Sequence, residues 1–230
     1  MLASRYRFVL EKSSSLKSDH KVGRVSCSRG SHLQHFLKRS VDLFGAFVLI
    51  LLFFPIFIIV GLLVVLEDGR PIIYRRRVVG ICGEFDAFKF RTMRRDADSI
   101  LASNPALRAE FERNFKLRDD PRVTRVGAFL RKSSLDELPQ LFNVLRGQMS
   151  LVGPRMITAP ELDKYGFHKQ LLLSVKPGLT GYWQVCGRQN VSYEERVTMD
   201  VYYIENWSLG MDIKILACTP LKVLKREGAF

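Results

Sequence analysis

The fold of this chain is decided by a hydrophobic stretch at residues 43–66, LFGAFVLILLFFPIFIIVGLLVVL. None of its 24 residues has a polar side chain. As a straight helix the stretch would measure about 36 Å, which exceeds the roughly 30 Å of bilayer hydrocarbon. It is too long, and begins too far from Met1, to be a signal peptide. The pattern therefore predicts a helix that enters a membrane.

Pro55 lies in the middle of this stretch and bears on whether the helix crosses the membrane. Proline lacks a backbone N–H and clashes with the preceding turn, so a bend or break is expected there. Each arm would then reach about 17 Å, roughly half of the hydrocarbon thickness. Lys38 and Arg39 precede the stretch and arginines also follow it, whereas a spanning helix usually has its basic excess on one side. On these grounds a re-entrant helix and a kinked spanning helix are both open.

Composition divides the chain into three parts and gives it a net charge of +13. Residues 1–37 are basic and Ser-rich, which predicts a disordered tail that is either solubilising or attracted to an anionic leaflet. Residues 38–66 form the membrane segment, where Asp42 could pair with Lys38 or Arg39 at the interface and so limit the cost of its charge. The remaining residues, 67–230, are numerous enough to bury a core.

The four cysteines are widely spaced, which argues against a zinc site or a disulfide framework. The cysteine spacing therefore predicts a protein that keeps its cysteines reduced and faces the cytoplasm.

The pattern of residues 67–230 predicts a small, mostly helical α+β domain. Residues 72–79 and 84–90 have the character of two short strands around a turn, which predicts a hairpin. Helices are expected to start at Asn104-Pro105, at residue 161, at the capping box of Ser192 and Glu195, and at residue 211. The last helix alternates apolar and basic residues. It suits an interfacial amphipathic helix on a bilayer and equally a helix packed on the soluble core.

The candidate chemistry centres on two adjacent carboxylates, Asp136 and Glu137. Pro139 is tolerated only in the first turn of a helix, so a helix is expected to begin close to Asp136, and Ser134 with Glu137 also matches a capping box. Both carboxylates would then lie at the positive end of a helix. Three roles fit such a pair: helix capping, an ionised nucleophile, and a site for a divalent cation.

Side chains that suit phosphate lie in other predicted strands and loops. Lys89 and Arg91 fall on one side of a predicted strand. Arg155 follows a tight Gly-Pro turn, and Arg188 follows Gln184 in a second loop. Arginine matches phosphate oxygens two at a time, although each of these residues alone could be a solvated surface charge. Together with the carboxylate pair and the membrane segment, they indicate phosphoryl transfer on a lipid.

A series of short motifs makes the functional prediction more specific. Through them, the chain from about residue 38 onward resembles the bacterial sugar transferases, the monotopic phosphoglycosyl transferases. The motifs are KRSVD at 38–42, KFRTM at 89–93, SLDELPQLFNVL at 134–145, MSLVGPR at 149–155, KPGLTG at 176–181, QVCGR at 184–188 and DVYYIENWS at 200–208. Their number and order carry the resemblance, which covers all of the chain except the basic tail.

This resemblance implies a reaction and a location. The expected reaction moves a sugar 1-phosphate from a UDP-sugar to undecaprenyl phosphate and releases UMP, with galactose or glucose as the sugar. It would be the initiating step of exopolysaccharide or O-antigen synthesis. The expected location is the bacterial inner membrane, with residues 67–230 forming the catalytic domain on the cytoplasmic face. The oligomeric state is open between a monomer and a homodimer.

The resemblance also implies roles for individual residues. Asp136 is expected to be the nucleophile that forms a phosphosugar-enzyme intermediate. Glu137 is expected either to bind Mg²⁺ or to activate the acceptor, with Mg²⁺ as the cofactor held by both acids. Pro55 is expected to mark the break of a re-entrant helix. The expected nucleotide or phosphate ligands are Lys89, Arg91, Arg155, Gln184 and Arg188.

The chain departs from the family pattern at two positions, and two other classes of protein are alternatives to a transferase. Phe54 precedes Pro55 where the family usually has Ser, so one side-chain hydrogen bond at the break is missing, and Met156 replaces a usual proline. The charge of +13 motivates a membrane-tethered binder of nucleic acid or anionic lipid, but no nucleic-acid motif is present, so nucleic acid is not an expected partner. A non-catalytic scaffold of the same family is the second rival, and the intact acid pair argues against it.

Overall fold

The computed structural model describes residues 31–114, 117, 120–186 and 191–224, which form a mostly helical α+β fold with two small sheets. This confirms the predicted fold class. The helices are α1 (His32–Asp68), α2 (Ala97–Ser103), α3 (Pro105–Asn114), α4 (Arg125–Ser133), α5 (Gln140–Leu145), α6 (Ala159–Leu162), α7 (Lys169–Leu173), α8 (Tyr182–Cys186), α9 (Tyr193–Glu205) and α10 (Leu209–Leu224). The strands are β1 (Ile73–Gly80), β2 (Gly83–Phe90), β3 (Ser150–Val152) and β4 (Gly178–Thr180), and 3₁₀ turns occupy Leu135–Glu137 and Asp163–His168.

The long helix α1 contains the hydrophobic stretch and continues through Pro55. It begins at a capping box formed by Ser31 and Gln34, so residues 32–37 are helical rather than part of a disordered tail. Gly69, at φ 73°, ends it. By length and composition α1 could cross a membrane, with a mean hydropathy of 3.3 over its most apolar window. A bend or break was predicted at Pro55, and the helix has no break there.

One face of α1 packs on the rest of the fold while the other stays exposed. Ala46 lies in the main core, and Val60 and Val64 pack with Phe90 and Leu130 in a second cluster. The exposed face is apolar along its length, with Phe44, Leu52, Phe54, Ile59 and Leu66 each more than half exposed. An apolar surface of this size is typical of contact with lipid or another protein.

The start of α1 is anchored to the domain by three charged residues. Lys38 Nζ donates to Asp212 Oδ2 at 2.6 Å, and the Arg39 guanidinium donates to two carbonyls at the end of α5. Asp42 Oδ1 accepts from the Ser150 hydroxyl and the Leu151 N–H. The expected pairing of Asp42 with Lys38 or Arg39 is thus replaced by a separate partner for each residue. These anchors fix the start of α1 against β3 and α10.

The end of α1 is anchored to the same domain. The Glu67 carboxylate accepts the backbone N–H groups of Arg125 and Val126 at the start of α4. Such a carboxylate satisfies orphan donors at a helix N-terminus. Asp68 accepts the backbone N–H of Arg95, 27 residues further along the chain. Both ends of α1 therefore contact the same domain.

Strands β1 and β2 form the predicted antiparallel hairpin, which pairs Ile73 with Phe90 and Gly80 with Gly83. Val78 of β1 and the alternate β2 residues Phe85 and Ala87 are buried in the main core, whereas Phe90 is buried in the second cluster. Lys89 lies one position before the end of β2.

Strands β3 and β4 form a parallel pair that the sequence reading missed. Two glycines allow it: a Cβ on Gly178 would lie 2.1 Å from the Gly153 nitrogen, and one on Gly153 would lie 2.5 Å from a backbone carbonyl. Neither position can hold a side chain, because the two backbones touch there. The Gly-Pro-Arg and Pro-Gly motifs therefore form one unit that fixes the position of Arg155.

The helix expected over residues 161–175 is wrong as a continuous element. Gly166 adopts φ 50° and ψ −122°, which breaks the segment into α6, a 3₁₀ turn and α7. The helices predicted from Asn104-Pro105 and from the Ser192 capping box are confirmed.

The last helix, α10, contains Pro220 and presents two different faces. Ile215 is buried in the core, whereas Ile213 and Leu221 are each 61% exposed. The helix thus packs on the core and keeps apolar side chains on its outer face.

Candidate active site

The two adjacent carboxylates meet a lysine from the hairpin. Lys89 Nζ lies 2.6 Å from Glu137 Oε1 and 3.7 Å from Asp136 Oδ2. Asp136 is buried, with 8% of its surface exposed, and the Glu137 side chain is 23% exposed. The structure therefore brings Lys89 to the acid pair, and its role as a phosphate ligand stays a prediction.

Local conformation explains how the acids are presented. Ser134 adopts the left-handed conformation at φ 57°, which ends α4 and redirects the chain into the 3₁₀ turn Leu135–Glu137. Pro139 precedes α5, so the acids lie in the turn before that helix rather than in its first turn. The Ser134 side chain makes no capping hydrogen bond, and the predicted capping box with Glu137 is wrong because the Glu137 carboxylate binds Lys89 instead.

The two carboxyl groups differ in proton affinity. Burial raises the pKa of Asp136 to about 6, and the charge of Glu137 acts in the same direction, although Lys89 opposes both. Burial also disfavours the charged form of Glu137, but Lys89 and then Arg155 outweigh it, so the pKa of Glu137 is lowered. The pair therefore holds one firmly ionised carboxylate beside one that titrates near neutral pH.

Three arginines act on the pair through their charge. Arg131 lies close enough to favour the charged form of Asp136, and its Nε donates to the Thr92 hydroxyl at 2.9 Å. Arg155 and Arg76 both lower the pKa of Glu137, although Arg76 also pairs with Glu161. This positive charge suits a ligand that carries several negative charges. Arg131 was not singled out from the sequence because its spacing on α4 marks only an ordinary helix face.

A buried asparagine fixes the hairpin against the acid-bearing segment. Asn143 is fully buried on α5; its Oδ1 accepts the Phe88 N–H, and its Nδ2 donates to the Asp86 carbonyl. These two bonds hold the strand beside α5, and Lys89 is the next residue along that strand. A polar residue within the apolar stripe of α5 was the sequence signal for this role.

The other predicted phosphate ligands differ in their surroundings. Arg155 lies near Glu137 and over the ring of Trp183, at 5.5 Å from the guanidinium carbon to the ring centroid. Gln184 donates to the Leu179 carbonyl at 3.4 Å, and its Oε1 has no partner among the described residues. Arg188 lies outside the described residues.

Arg91 is a correction to the predicted site. Its side chain is 8% exposed and donates to the carbonyls of Asp68 and Gly69 while pairing with the Asp68 carboxylate. It closes the end of α1, because the carbonyls there have no partner within the helix. The structure therefore gives Arg91 an anchoring position, although its place one residue beyond β2 had suggested a phosphate ligand.

The segment that carries the acid pair packs near α1. Phe57 of α1 contacts the rings of Phe90 and Phe142, with centroids 5.7 and 5.8 Å away. Leu138, which directly follows the acids, packs against both hydrophobic clusters of the fold. Apolar side chains therefore connect α1 with the segment that carries the acids.

The pair can also be tested as a magnesium site. No group of three or more His, Cys, Asp or Glu side chains within the described ranges could hold a metal by itself. Mg²⁺ is often bound by one or two carboxylates together with substrate phosphates. Asp136 Oδ2 is beyond hydrogen-bond distance of Lys89, so it has capacity for a further ligand. Asp136 and Glu137 thus fit a Mg²⁺ that arrives with a diphosphate.

Comparison with known proteins gives consistent matches. A sequence model of the family described as bacterial sugar transferase matches residues 33–226. The chain is 47% identical over 211 residues to the UDP-galactose-lipid carrier transferase of Erwinia amylovora, which covers 90% of this chain and 44% of that protein. It is also 45% identical over 212 residues to the undecaprenyl-phosphate galactose phosphotransferase of Salmonella typhimurium. This alignment covers 90% of this chain and 44% of the Salmonella protein.

A shorter relative matches over most of its length. The chain is 45% identical over 198 residues to the exopolysaccharide production protein ExoY of Sinorhizobium fredii, which covers 84% of this chain and 88% of that protein. The chain thus spans less than half the length of the Erwinia and Salmonella relatives and most of the length of this one.

Proposed function

Because this chain belongs to the bacterial sugar transferase family, we propose that it moves a sugar 1-phosphate from a UDP-sugar to undecaprenyl phosphate. The names of two relatives include galactose, and one of them also names undecaprenyl phosphate, so galactose is the proposed sugar. The name of a third relative places the step in exopolysaccharide production. The products are UMP and a lipid-linked diphosphosugar.

The observation that carries the proposal is a buried carboxyl group that titrates near neutral pH beside a membrane helix and a lysine. The pKa of Asp136 is raised to about 6 by burial, so at pH 7 its carboxylate is mostly ionised yet poorly solvated. A poorly solvated carboxylate is a better nucleophile than one in water. Lys89 and the nearby arginines supply positive charge for the diphosphate of the donor.

The proposed reaction has two displacement steps at one phosphorus atom. In the first, an Asp136 carboxylate oxygen attacks the phosphorus that bears the sugar, and the bond to the bridging oxygen breaks with UMP as the leaving group. In the second, an oxygen of undecaprenyl phosphate attacks the same phosphorus and the Asp136–phosphorus bond breaks. The carboxylate is regenerated, and no proton or electron is left over.

The surrounding residues have supporting roles in this scheme. Lys89 holds Glu137 and neutralises charge at the reacting phosphate. Arg155, whose charge lowers the pKa of Glu137, is the proposed ligand of the diphosphate. Mg²⁺ held by Asp136 and Glu137 would neutralise further charge on the donor. Glu137 then acts as a support for the metal and the lysine rather than as the nucleophile.

We further propose that α1 is re-entrant and that the domain lies on the cytoplasmic face of the inner membrane. Both ends of α1 contact one domain, through Lys38 at the start and Glu67 at the end. A helix that crossed the bilayer would carry one of these ends away from the domain. Basic residues at both ends also fit a single cytoplasmic side.

Cysteine labelling in intact cells tests this topology. Single cysteines replacing Ser31 and Gly83, in a chain with its native cysteines removed, should both be protected from a membrane-impermeant maleimide and react after the membrane is permeabilised. Changing Pro55 to Leu should move a fraction of molecules to a spanning state, because Leu restores the missing backbone hydrogen bond. Labelling of either wild-type site from outside the cell would contradict the re-entrant proposal.

Turnover of a panel of sugar nucleotides tests the function. Detergent-solubilised protein with Mg²⁺ and undecaprenyl phosphate should release UMP from UDP-galactose and yield a galactosyl diphospholipid detected by mass spectrometry. UDP-glucose, UDP-N-acetylglucosamine and GDP-mannose serve as comparison donors. Loss of turnover with EDTA and its return with Mg²⁺ is expected. An absence of nucleotide release from every donor, with the protein folded, would refute the proposal.

A further inference from the structure

Two basic side chains from distant parts of the sequence meet at one glycine. Gly147, in the turn between α5 and β3, adopts φ 79°. A Cβ built on it would lie 3.4 Å from Arg39 Nη2 and 3.8 Å from Lys176 Nζ. The three atoms nearest to that position, apart from the glycine's own chain neighbours, all belong to these two side chains. Arg39, Gly147 and Lys176 are together called the basic cradle.

The fold fixes both basic residues of the cradle in place. Arg39 donates through Nη1 to the Val144 carbonyl at 2.8 Å and through Nη2 to the Leu145 carbonyl at 3.1 Å. The backbone of Lys176 lies against Gly153, where a Cβ would come within 2.5 Å of the Lys176 carbonyl oxygen. The two cations are therefore brought together by close contacts of the domain rather than by chance at a mobile surface.

The positive charge of the cradle has no carboxylate partner among the described residues. The two carbonyls bound by Arg39 leave it further N–H donors. Lys176 Nζ has no hydrogen-bond partner in that part of the chain, and it is accessible to solvent rather than buried. Burial lowers the pKa of Lys176, and the charge of Arg39 acts in the same direction. Asp42 opposes them, but its Oδ1 accepts from Ser150 and Leu151. A bound anion would relieve the repulsion between the two cations.

The cradle lies where α1 passes from polar to apolar sequence. Arg39 precedes Leu43, the first residue of the hydrophobic stretch, by four residues, which is about 6 Å of helix. On the outer surface of α1, Val41 is 42% exposed and Phe44 is 73% exposed. In the proposed membrane position of α1, the cradle therefore lies at the depth of the lipid headgroups.

We propose that the basic cradle binds the phosphate group of an anionic phospholipid, an inference that rests on the proposed membrane position of α1 and not on the proposed chemistry. Arg39 and Lys176 supply charged N–H donors, which suit phosphate oxygens. Gly147 keeps the approach open, because any side chain there would stand between the two cations. The bound lipid would connect the start of α1 with the turn after α5 and with the segment before β4.

The position of the cradle favours a phospholipid over the polyprenyl phosphate acceptor. The acids directly precede α5, whereas Gly147 follows its last residue, Leu145. A helix of this length separates its two ends by about 9 Å. A phosphate that reacts at Asp136 must come within about 3 Å of the carboxylate. A lipid phosphate in the cradle is therefore too far from Asp136 to be the reacting group.

Lipid binding by the detergent-solubilised full chain tests the proposal. Native mass spectrometry measures the affinity for the first molecule of phosphatidylglycerol and of phosphatidylcholine, which has no net charge. The wild type should prefer phosphatidylglycerol. Lys176→Gln should weaken phosphatidylglycerol binding about fivefold, the usual contribution of one basic residue near an anionic lipid. Lys169→Gln removes the same charge from an exposed lysine of α7 that pairs with Asp163, so its lipid affinity should match the wild type.

A pair of substitutions at Gly147 tests the cradle without any lipid. Asp and Asn both tolerate a positive φ, and they have nearly the same shape. Gly147→Asp would place a carboxylate between the two cations, whereas Gly147→Asn fills the same space without charge. The Asp variant should melt about 2–4 °C higher than the Asn variant, and it should lose the preference for phosphatidylglycerol. Thermal unfolding in detergent measures the first effect and native mass spectrometry the second.

Several results would overturn the proposal. Unchanged phosphatidylglycerol affinity in Lys176→Gln, or equal melting of the two Gly147 variants, would show that the cradle binds no anion. Displacement of phosphatidylglycerol by millimolar inorganic phosphate would assign the cradle to a free anion instead. Tighter binding of undecaprenyl phosphate than of phosphatidylglycerol, lost in Lys176→Gln, would assign it to the acceptor. None of these measurements uses the sugar nucleotide, so failure of the proposed transfer reaction would appear separately, as absent UMP release.

Discussion

Replacing Asp136 with Asn should abolish the phosphosugar adduct and lower turnover by at least about 10³-fold, since loss of a nucleophile has effects of this size. Wild-type protein mixed with UDP-galactose and Mg²⁺, without lipid, should release at most one UMP per active site and gain the mass of one hexose phosphate. Asn nearly matches the shape of Asp but cannot attack phosphorus. The variant should therefore fold and bind nucleotide without forming the adduct. Intact-protein mass spectrometry measures this outcome.

Glu137→Gln is the matched control for this variant. It alters the neighbouring acid, so turnover should fall while the adduct still forms. An adduct mapped to a residue other than Asp136, or kinetics that require both substrates to be bound together, would contradict the assignment.

The pH dependence of adduct formation follows from the same carboxyl group. The pKa of Asp136 is raised to about 6, and only the ionised form can attack, so the rate should fall about tenfold for each pH unit below 6. The raised pKa means that folding favours the protonated form. Its stabilising contribution, of about 3 kcal/mol, is present below pH 4 and is lost as pH rises through 6. Asp136→Asn should consequently unfold at the same or a higher temperature than the wild type at pH 8.

Lys89→Met is the second variant with a large expected effect. The lysine lies within 3.7 Å of both carboxylates and lowers the pKa of each. Its removal leaves one buried and one partly buried acid without their nearest positive charge, so the acidic limb of the rate profile should move to higher pH. Adduct formation at pH 7 should fall by about 100-fold, because a charge that stabilises the transferring phosphate is also lost.

Two comparison variants make the result specific. Lys89→Arg keeps the charge and should restore part of the rate. Arg77→Met removes a positive charge from the neighbouring strand, where the side chain is 61% exposed and contacts Glu84 and Asp86, so it should leave the profile unchanged. An unshifted acidic limb in Lys89→Met would show that the lysine does not control the titration of the acids.

Local signals in the sequence were sufficient for several elements. Hydrophobicity alone identified α1, because a run of 24 apolar residues is not stable as an exposed segment in water. Turn residues and capping boxes located the hairpin and α9, since these signals act within a few residues. The adjacent acids were visible as a motif, and the resemblance gave them a role.

The sequence was less informative wherever a residue's partner lies far along the chain. Lys89 and Arg91 looked equivalent on one strand, yet one meets the acids 48 residues away and the other closes the end of α1. Gly166 looked compatible with a helix, but its backbone takes φ 50° and breaks the segment. Nothing in the local pattern distinguishes these outcomes, because packing decides which contact is made.

What the sequence by itself determined about this protein is a long apolar helix, an acid pair and the order of its motifs, because each is a property of neighbouring residues. The tertiary structure alone decided that both ends of α1 contact one domain, and that Arg39 and Lys176 meet at Gly147. Such contacts join segments separated by tens to more than a hundred residues. The free energy that selects them comes from burying the whole core, which no short stretch of sequence encodes.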